Sequence, residues 1–203
     1  INPKELSLFL ETQNPEISYR DISVPAKNIK VYIDFLSLLK SDTQIKKINL
    51  ILKELDITQL KKLSAMIKPS NFKSLLNNNV KEGKVTTEIV FYLTEESTLK
   101  NFIAKGSVKN LKVDLFNSLN FSEVNLEFFA DKNDFLIKNI IGKLDKIELS
   151  NGDIRLNLDS GIKLTSNFNS KFDIDENFFK KYNKILNKYE FGKYTKNLKV
   201  NLN

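Results

Sequence analysis

The sequence predicts a mostly-β protein, a long antiparallel, strongly curved meander sheet with an apolar concave face and a few short helices. Three observations predict it. Apolar residues recur at every second position in segments near 5–11, 28–35, 45–54, 84–93, 100–115, 122–129, 134–140, 144–149, 153–158, 161–170 and 196–202, the period of strands with one buried face. The connections between them are short, which suits antiparallel neighbours and leaves no room for crossover helices. Helical spacing is confined to three places.

The whole of 1–203 reads as one β-rich module in three parts. In 1–80, strands carrying Val31, Ile33 and Phe35 and then Ile48, Leu50 and Leu52 precede two short helices. The first helix runs from Thr58 to Ile67, with Leu60, Leu63 and Ile67 on one side, and stops before Pro69; the second is "SNFKSLLNN". In 81–172 the meander continues through Leu111, Val113 and Leu115 and through Val124, Leu126 and Phe128. In 173–203, Asp175 to Tyr189 places Phe178, Phe179, Tyr182, Ile185, Leu186 and Tyr189 on one helical stripe, with a terminal strand after it.

Gly142 to Phe168, "GKLDKIELSNGDIRLNLDSGIKLTSNF", shows the register most clearly. Asn151-Gly152 is the favoured dipeptide of a two-residue hairpin loop, which sets Leu149 against Ile154 and Ile147 against Leu156. A three-residue loop at Asp159-Ser160-Gly161 then sets Leu158 against Ile162 and Leu156 against Leu164. The apolar sets coincide on one face. Lys146, Glu148, Arg155, Asn157, Lys163 and Thr165 take the other, with Glu148 opposite Arg155, a cross-strand pair worth ~0.2–1 kcal/mol.

Composition narrows the chemistry. The chain is 41% hydrophobic and 28% charged, which is ordinary for a globular protein. Cys and His are both absent, which excludes disulfides, thiolate nucleophiles, imidazole bases and the usual zinc sites. The net charge of +7 invites a nucleic-acid partner, but Arg occurs only at Arg20 and Arg155 and the Lys residues are spread along the chain, so no nucleic-acid partner is expected. Asp153, Asp159 and the "DKND" of 131–134 read as turn residues, "KEGK" at 81–84 is too short for a phosphate loop, and Glu95-Glu96 reads as a solvated loop. No catalytic residue, metal or cofactor is expected. No apolar run approaches the ~20 residues of a membrane-spanning helix. An opening without Met and a last segment that still alternates suggest a piece of a longer chain, with any anchor outside it.

What covers the apolar face is the open question. One answer is a sandwich or barrel core closed under the helix at 175–189. The other comes from a resemblance. "NPEISYRDISVPAKNIKVYIDFLSLLKSDTQIKKINLILKELDITQLKKL" resembles the beginning of AsmA-like proteins: a short strand through Asn14-Pro15, a turn around Pro25, a strand with Lys30, Tyr32 and Asp34 leading into "SLL", and a strand ending in a helix at Ile57-Thr58. "GKVTTEIVFYLTEESTLKNFIAKGSVKNLKVDLF" and "VNLEFFADKNDFLIKNIIGKLDKIELSNGDIRLNL" are similar to the repetitive strand region of that group, which includes TamB and YhdP and is distantly similar to chorein-type lipid-transfer proteins. The resemblance implies the membrane-proximal, periplasmic part of a protein anchored in the inner membrane of a Gram-negative bacterium, with phospholipid acyl chains as the missing layer of a groove leading toward the outer membrane. The residues expected to line it are Val124, Leu126, Phe128, Ile147, Leu149, Ile154, Leu156, Leu158, Ile162 and Leu164. The alternative is an envelope scaffold that docks an outer-membrane assembly partner by strand addition.

Overall fold

The computed structural model describes residues 7–19, 21–39, 43–65, 71–115, 119–145, 147–157, 163–174 and 198–202. Its strands are β1 (Ser7–Gln13), β2 (Glu16–Tyr19), β3 (Ile22–Asp34), β4 (Ile45–Leu52), β5 (Leu55–Asp56), β6 (Val80–Leu93), β7 (Leu99–Leu115), β8 (Leu119–Asp131), β9 (Asp134–Leu144), β10 (Ile147–Asn157), β11 (Lys163–Ile174) and β12 (Leu198–Leu202). The helices are α1 (Phe35–Leu39), α2 (Ile57–Ser64) and α3 (Asn71–Asn78).

The strands form one antiparallel sheet in the order β1-β3-β4-β6-β7-β8-β9-β10-β11-β12, with β2 beside β3 and β5 beside β6. From β6 onward each strand pairs with the next in sequence. The sheet is a curved meander that does not close on itself. The amphipathic helix expected over 175–189 lies outside the described residues.

Local chemistry explains the short helices. Asp56 accepts from the backbone N–H of Gln59 at 2.8 Å while the Gln59 side chain accepts from the Asp56 N–H at 3.0 Å, a reciprocal cap that starts α2. Asn79 ties the end of α3 to β7, since its side chain donates to the Asp114 carbonyl and its own carbonyl accepts the Asp114 N–H. Leu76, Val80 and Val113 are buried there, with Ile57, Leu60, Leu111 and Phe121 packed around them. This small core sits over one end of the central strands β6, β7 and β8.

The hairpin expected at Asn151-Gly152 does not exist. β10 runs straight through those residues, pairing with β9 on one side and β11 on the other, and what looked like two strands is one. Glu148 is accordingly not opposite Arg155; it pairs with Lys143 and Lys171, and Arg155 reaches Asp134 at 3.2 Å instead. Asp153 belongs to the strand and not to a turn. Near the N-terminus, Asn14 with φ 48° makes the break between β1 and β2, and Pro25 lies inside β3 opposite Glu16, so the turn falls near Asp21 with φ 62°. The Leu156–Leu164 register is as expected, though the loop that makes it lies outside the described residues.

Asn151 is a β-bulge, and it is one of a row. β7 has two residues, Lys109 and Asn110, against one of β8; β8 has Ser122 and Glu123 against one of β7; β9 has Asn139 and Ile140 against one of β8; β10 has Ser150 and Asn151 against one of β9. In each the polar residue is left-handed, with φ 50° at Asn110, 55° at Glu123, 54° at Asn139 and 50° at Asn151, and β6 contributes Gly83 at φ 151°. Asn tolerates that region better than most residues, and Asn110 also receives help: its N–H donates to Asn125 Oδ1 at 3.1 Å. Each bulge puts its extra residue on the polar side and bends the strand, so a row across four neighbouring strands, β7 to β10, with Gly83 of β6 facing the first of them, makes a crease. Val85, Val124, Ile140 and Leu149 are buried along it. Full burial stabilises by about 1.5–3 kcal/mol for each such side chain.

A β-branched residue is poorly suited to a left-handed backbone. Asn151→Val should therefore lower stability by about 1–2 kcal/mol, whereas Asn151→Gly should be neutral or slightly stabilising. Urea midpoints of the two variants check this, and equal midpoints would mean that position 151 is not held at positive φ.

Candidate functional site

The bulges change the parity of the apolar pattern in each strand without changing its face. β7 presents Phe102, Ala104, Gly106 and Val108 before its bulge and Leu111 and Val113 after it. β8 presents Phe121 and then Val124, Leu126, Phe128 and Ala130; β9 presents Phe135 and Ile137 and then Ile140, Gly142 and Leu144. β10 presents Ile147 and Leu149 and then Gly152, Ile154 and Leu156. Registered pairs carry this face outward through Ile89 and Leu50 to Ile29, Val31 and the edge residues Leu8 and Leu10. The apolar face is thus continuous from β1 to β11.

The expected lining residues divide into three groups on it. Val124 and Leu149 are buried in the crease. Leu126, Phe128, Ile147, Ile154 and Leu156 are half-buried, and Leu164 is 63% exposed. Leu158 and Ile162 lie outside the described residues. The set shares one face although the predicted hairpin is absent, because a one-residue bulge and a two-residue hairpin loop each restore Leu149 and Ile154 to the same side. Phe91, Phe102, Phe135, Ile137 and Ile140 share the face and were missed. The parity slip at Asn139, between Ile137 and Ile140, is the sequence signal that reveals the last two.

Aromatic rings lie over glycines on this face. A Cβ at Gly106 would lie 2.7 Å from Phe128 Cζ, and one at Gly152 would lie 2.5 Å from Phe168 Cδ1. A glycine removes the side chain that would hold these rings off, so they approach the backbone of the neighbouring strand closely. Substantial packing among the described elements is limited to neighbouring strands and to the helices on β3, β5 and β6. Beyond the end where α2 and α3 pack on Leu111, Val113 and Phe121, half-buried floor residues therefore gain burial from their neighbours in the sheet and have no layer of described residues above them.

The opposite face is polar but not uniformly so. An open hollow of about 660 Å³ lies across β4, β6, β7 and β8, with Ile51 and Phe129 among its walls and Lys53, Lys105, Glu88 and Glu127 around them. A twisted sheet is saddle-shaped, which gives both faces room for concavity. Glu88 meets Lys105 at 3.0 Å, and that contact, with the Asn49 amide, holds its carboxyl below the usual carboxylate range against the opposing effect of desolvation. The Asn157 amide and then the Arg155 guanidinium do the same for Asp134. These are cross-strand clasps between neighbouring strands, exposed enough that each stabilises little by itself.

No helix among the described residues is long and apolar enough to cross a membrane. Against protein-family models, curated proteins and solved structures the chain has no match, so the reading of its function rests on the geometry of this face.

Proposed function

We propose that the apolar face binds phospholipid acyl chains, and that the protein is a membrane-proximal, periplasmic segment of an AsmA-like conduit anchored in the inner membrane through a segment outside 1–203. One observation carries this reading. The face is continuous from β1 to β11 and half-buried, and no described layer covers the floor from Phe102 and Phe128 to Ile154 and Leu156. Acyl chains complete such a surface without directional chemistry, since removing apolar area from water stabilises by about 25 cal/mol per Å². Non-enzymatic binding follows from the same feature. The crease gives the floor its bend, and Leu164 marks its open side.

A second reading, an envelope scaffold that docks an outer-membrane assembly partner by strand addition, is favoured by a different observation: among the described residues β1 pairs on one side only, with β3, and so forms an edge of the sheet.

Photo-crosslinking in cells tests the conduit. A photoreactive residue at Leu126 or Leu156 should capture phospholipid, while one at Asn157 or Lys163 should not, because those two lie next to the floor in sequence and off it in space. Lipid at neither floor position would reject the conduit, and equal capture at all four would show adsorption rather than a groove.

A further inference from the structure

We infer that β1 is a self-pairing edge, through which two copies of this chain join their sheets antiparallel about a two-fold axis at Leu10. Its occupant is a second copy. The inference rests on the geometry of the strand and not on what fills the apolar face.

Four features of β1 support it. Its seven residues pair with β3 in unbroken register from Ser7–Asp34 to Gln13–Asn28, whereas bulges interrupt the ladders of β6 through β10. A regular strand presents evenly spaced backbone N–H and C=O groups along its free side, and such an edge is a template for another strand. Most devices that protect edges are missing, since Ser7–Gln13 contains no Lys, Arg or Pro, has no bulge and is covered by no element among the described residues; Glu11 is its single charge. Finally, Leu8, Phe9 and Leu10 are 51%, 53% and 66% exposed, three large apolar side chains in succession that serve both faces.

Charge selects the partner and the register. The one charged residue of the strand, Glu11, is engaged inboard: Lys30 sits 3.2 Å from its carboxylate and 5.3 Å from the centre of the Phe9 ring, and Asn28 donates to it as well. Pairing about Leu10 uses all seven residues. It sets Leu8 opposite Thr12 of the other copy, Phe9 opposite Glu11 and Leu10 opposite Leu10. No like charges face each other directly, and each carboxylate brings its own Lys30. Pairing about Glu11 would set the two carboxylates face to face. A two-fold axis normal to the sheet keeps both apolar faces on the same side, so the two floors become one.

Seven residues give a seam of roughly 23 Å and one strand wide, too narrow to bury the ~1,200 Å² of a stable interface, so the expected species is a concentration-dependent dimer. The absence of cysteine makes the register directly testable. With Leu10→Cys in the full chain, the two introduced thiols sit on Cα atoms about 4.5–5.5 Å apart, within disulfide reach. With Leu8→Cys they are about 13 Å apart and out of reach. Mild oxidation at micromolar protein should convert most of the Leu10→Cys chain to a covalent dimer and little of the Leu8→Cys chain, while an equal mixture of Leu8→Cys and Thr12→Cys chains should cross-link to each other. Leu10→Lys should shift the sedimentation equilibrium of the otherwise unaltered chain to monomer. A monomeric wild-type chain at several hundred micromolar, or equal dimer yields from Leu10→Cys and Leu8→Cys, would overturn the inference. Either result leaves lipid capture at Leu126 free to stand or fall separately.

Discussion

Gly106→Val is expected to destabilise the protein by about 3 kcal/mol or more, the largest effect of any single substitution considered for the sheet. Gly106 lies on β7 between Thr87 of β6 and Phe128 of β8. A Cβ there would fall 2.0 Å from the Thr86 carbonyl oxygen and 2.7 and 2.9 Å from two atoms of the Phe128 ring. The ring can turn away, but the carbonyl belongs to the backbone of a neighbouring strand and moves only if the ladder moves. For that reason Phe128→Ala should not rescue Gly106→Val, although it removes the softer of the two obstacles. The measurement is a urea unfolding curve for each variant and the double variant. A midpoint for Gly106→Val close to that of the parent would show that β6 and β7 are not so closely set, and rescue by Phe128→Ala would assign the cost to the ring.

The second large effect separates folding from function. Leu156 pairs with Phe135 and Leu164 on the apolar face and is half-buried, with no described layer above it. Leu156→Arg should therefore cost only about 1–2 kcal/mol, because a long side chain lays its methylenes on the floor and lifts its guanidinium into water. Lipid capture at Leu126 should nonetheless fall at least tenfold, since an acyl chain passing position 156 would have to desolvate a cation. A Leu156→Arg chain that fails to fold would mean that protein packs against this position, and the closed-core reading would replace the conduit. A folded variant with undiminished lipid capture would remove Leu156 from the path.

How far the sequence reached depends on the range of the interactions concerned. The strand alternation, the helix at Ile57, the Asx turn at Asp131 and the single apolar face were all legible, because each follows from contacts within a few residues or from the period of the chain. The meander order was legible for a related reason, since short connections leave antiparallel neighbours as the only partners within reach. Asn151-Gly152 was not. That dipeptide suits a tight hairpin turn and a left-handed bulge equally well, and both conformations bring Leu149 and Ile154 to the same face. Nothing in the local chain separates the two.

The choice was made by the strands on either side, beyond the few residues around the dipeptide. In the fold, β10 has β9 along one side and β11 along the other, so residues on both sides of Asn151 find backbone partners in two neighbouring strands. A hairpin at Asn151 would have paired 147–150 with 153–157 and taken one of those neighbours from each half. It would also have withdrawn Gly152 from Ile140 and Phe168, against which its bare Cα is closely packed. The alternating residues of the sequence by themselves determined that there is one apolar face. Only the tertiary structure decided that the face is creased along Gly83, Asn110, Glu123, Asn139 and Asn151, because a bulge can be told from a turn only by the strands on either side of it.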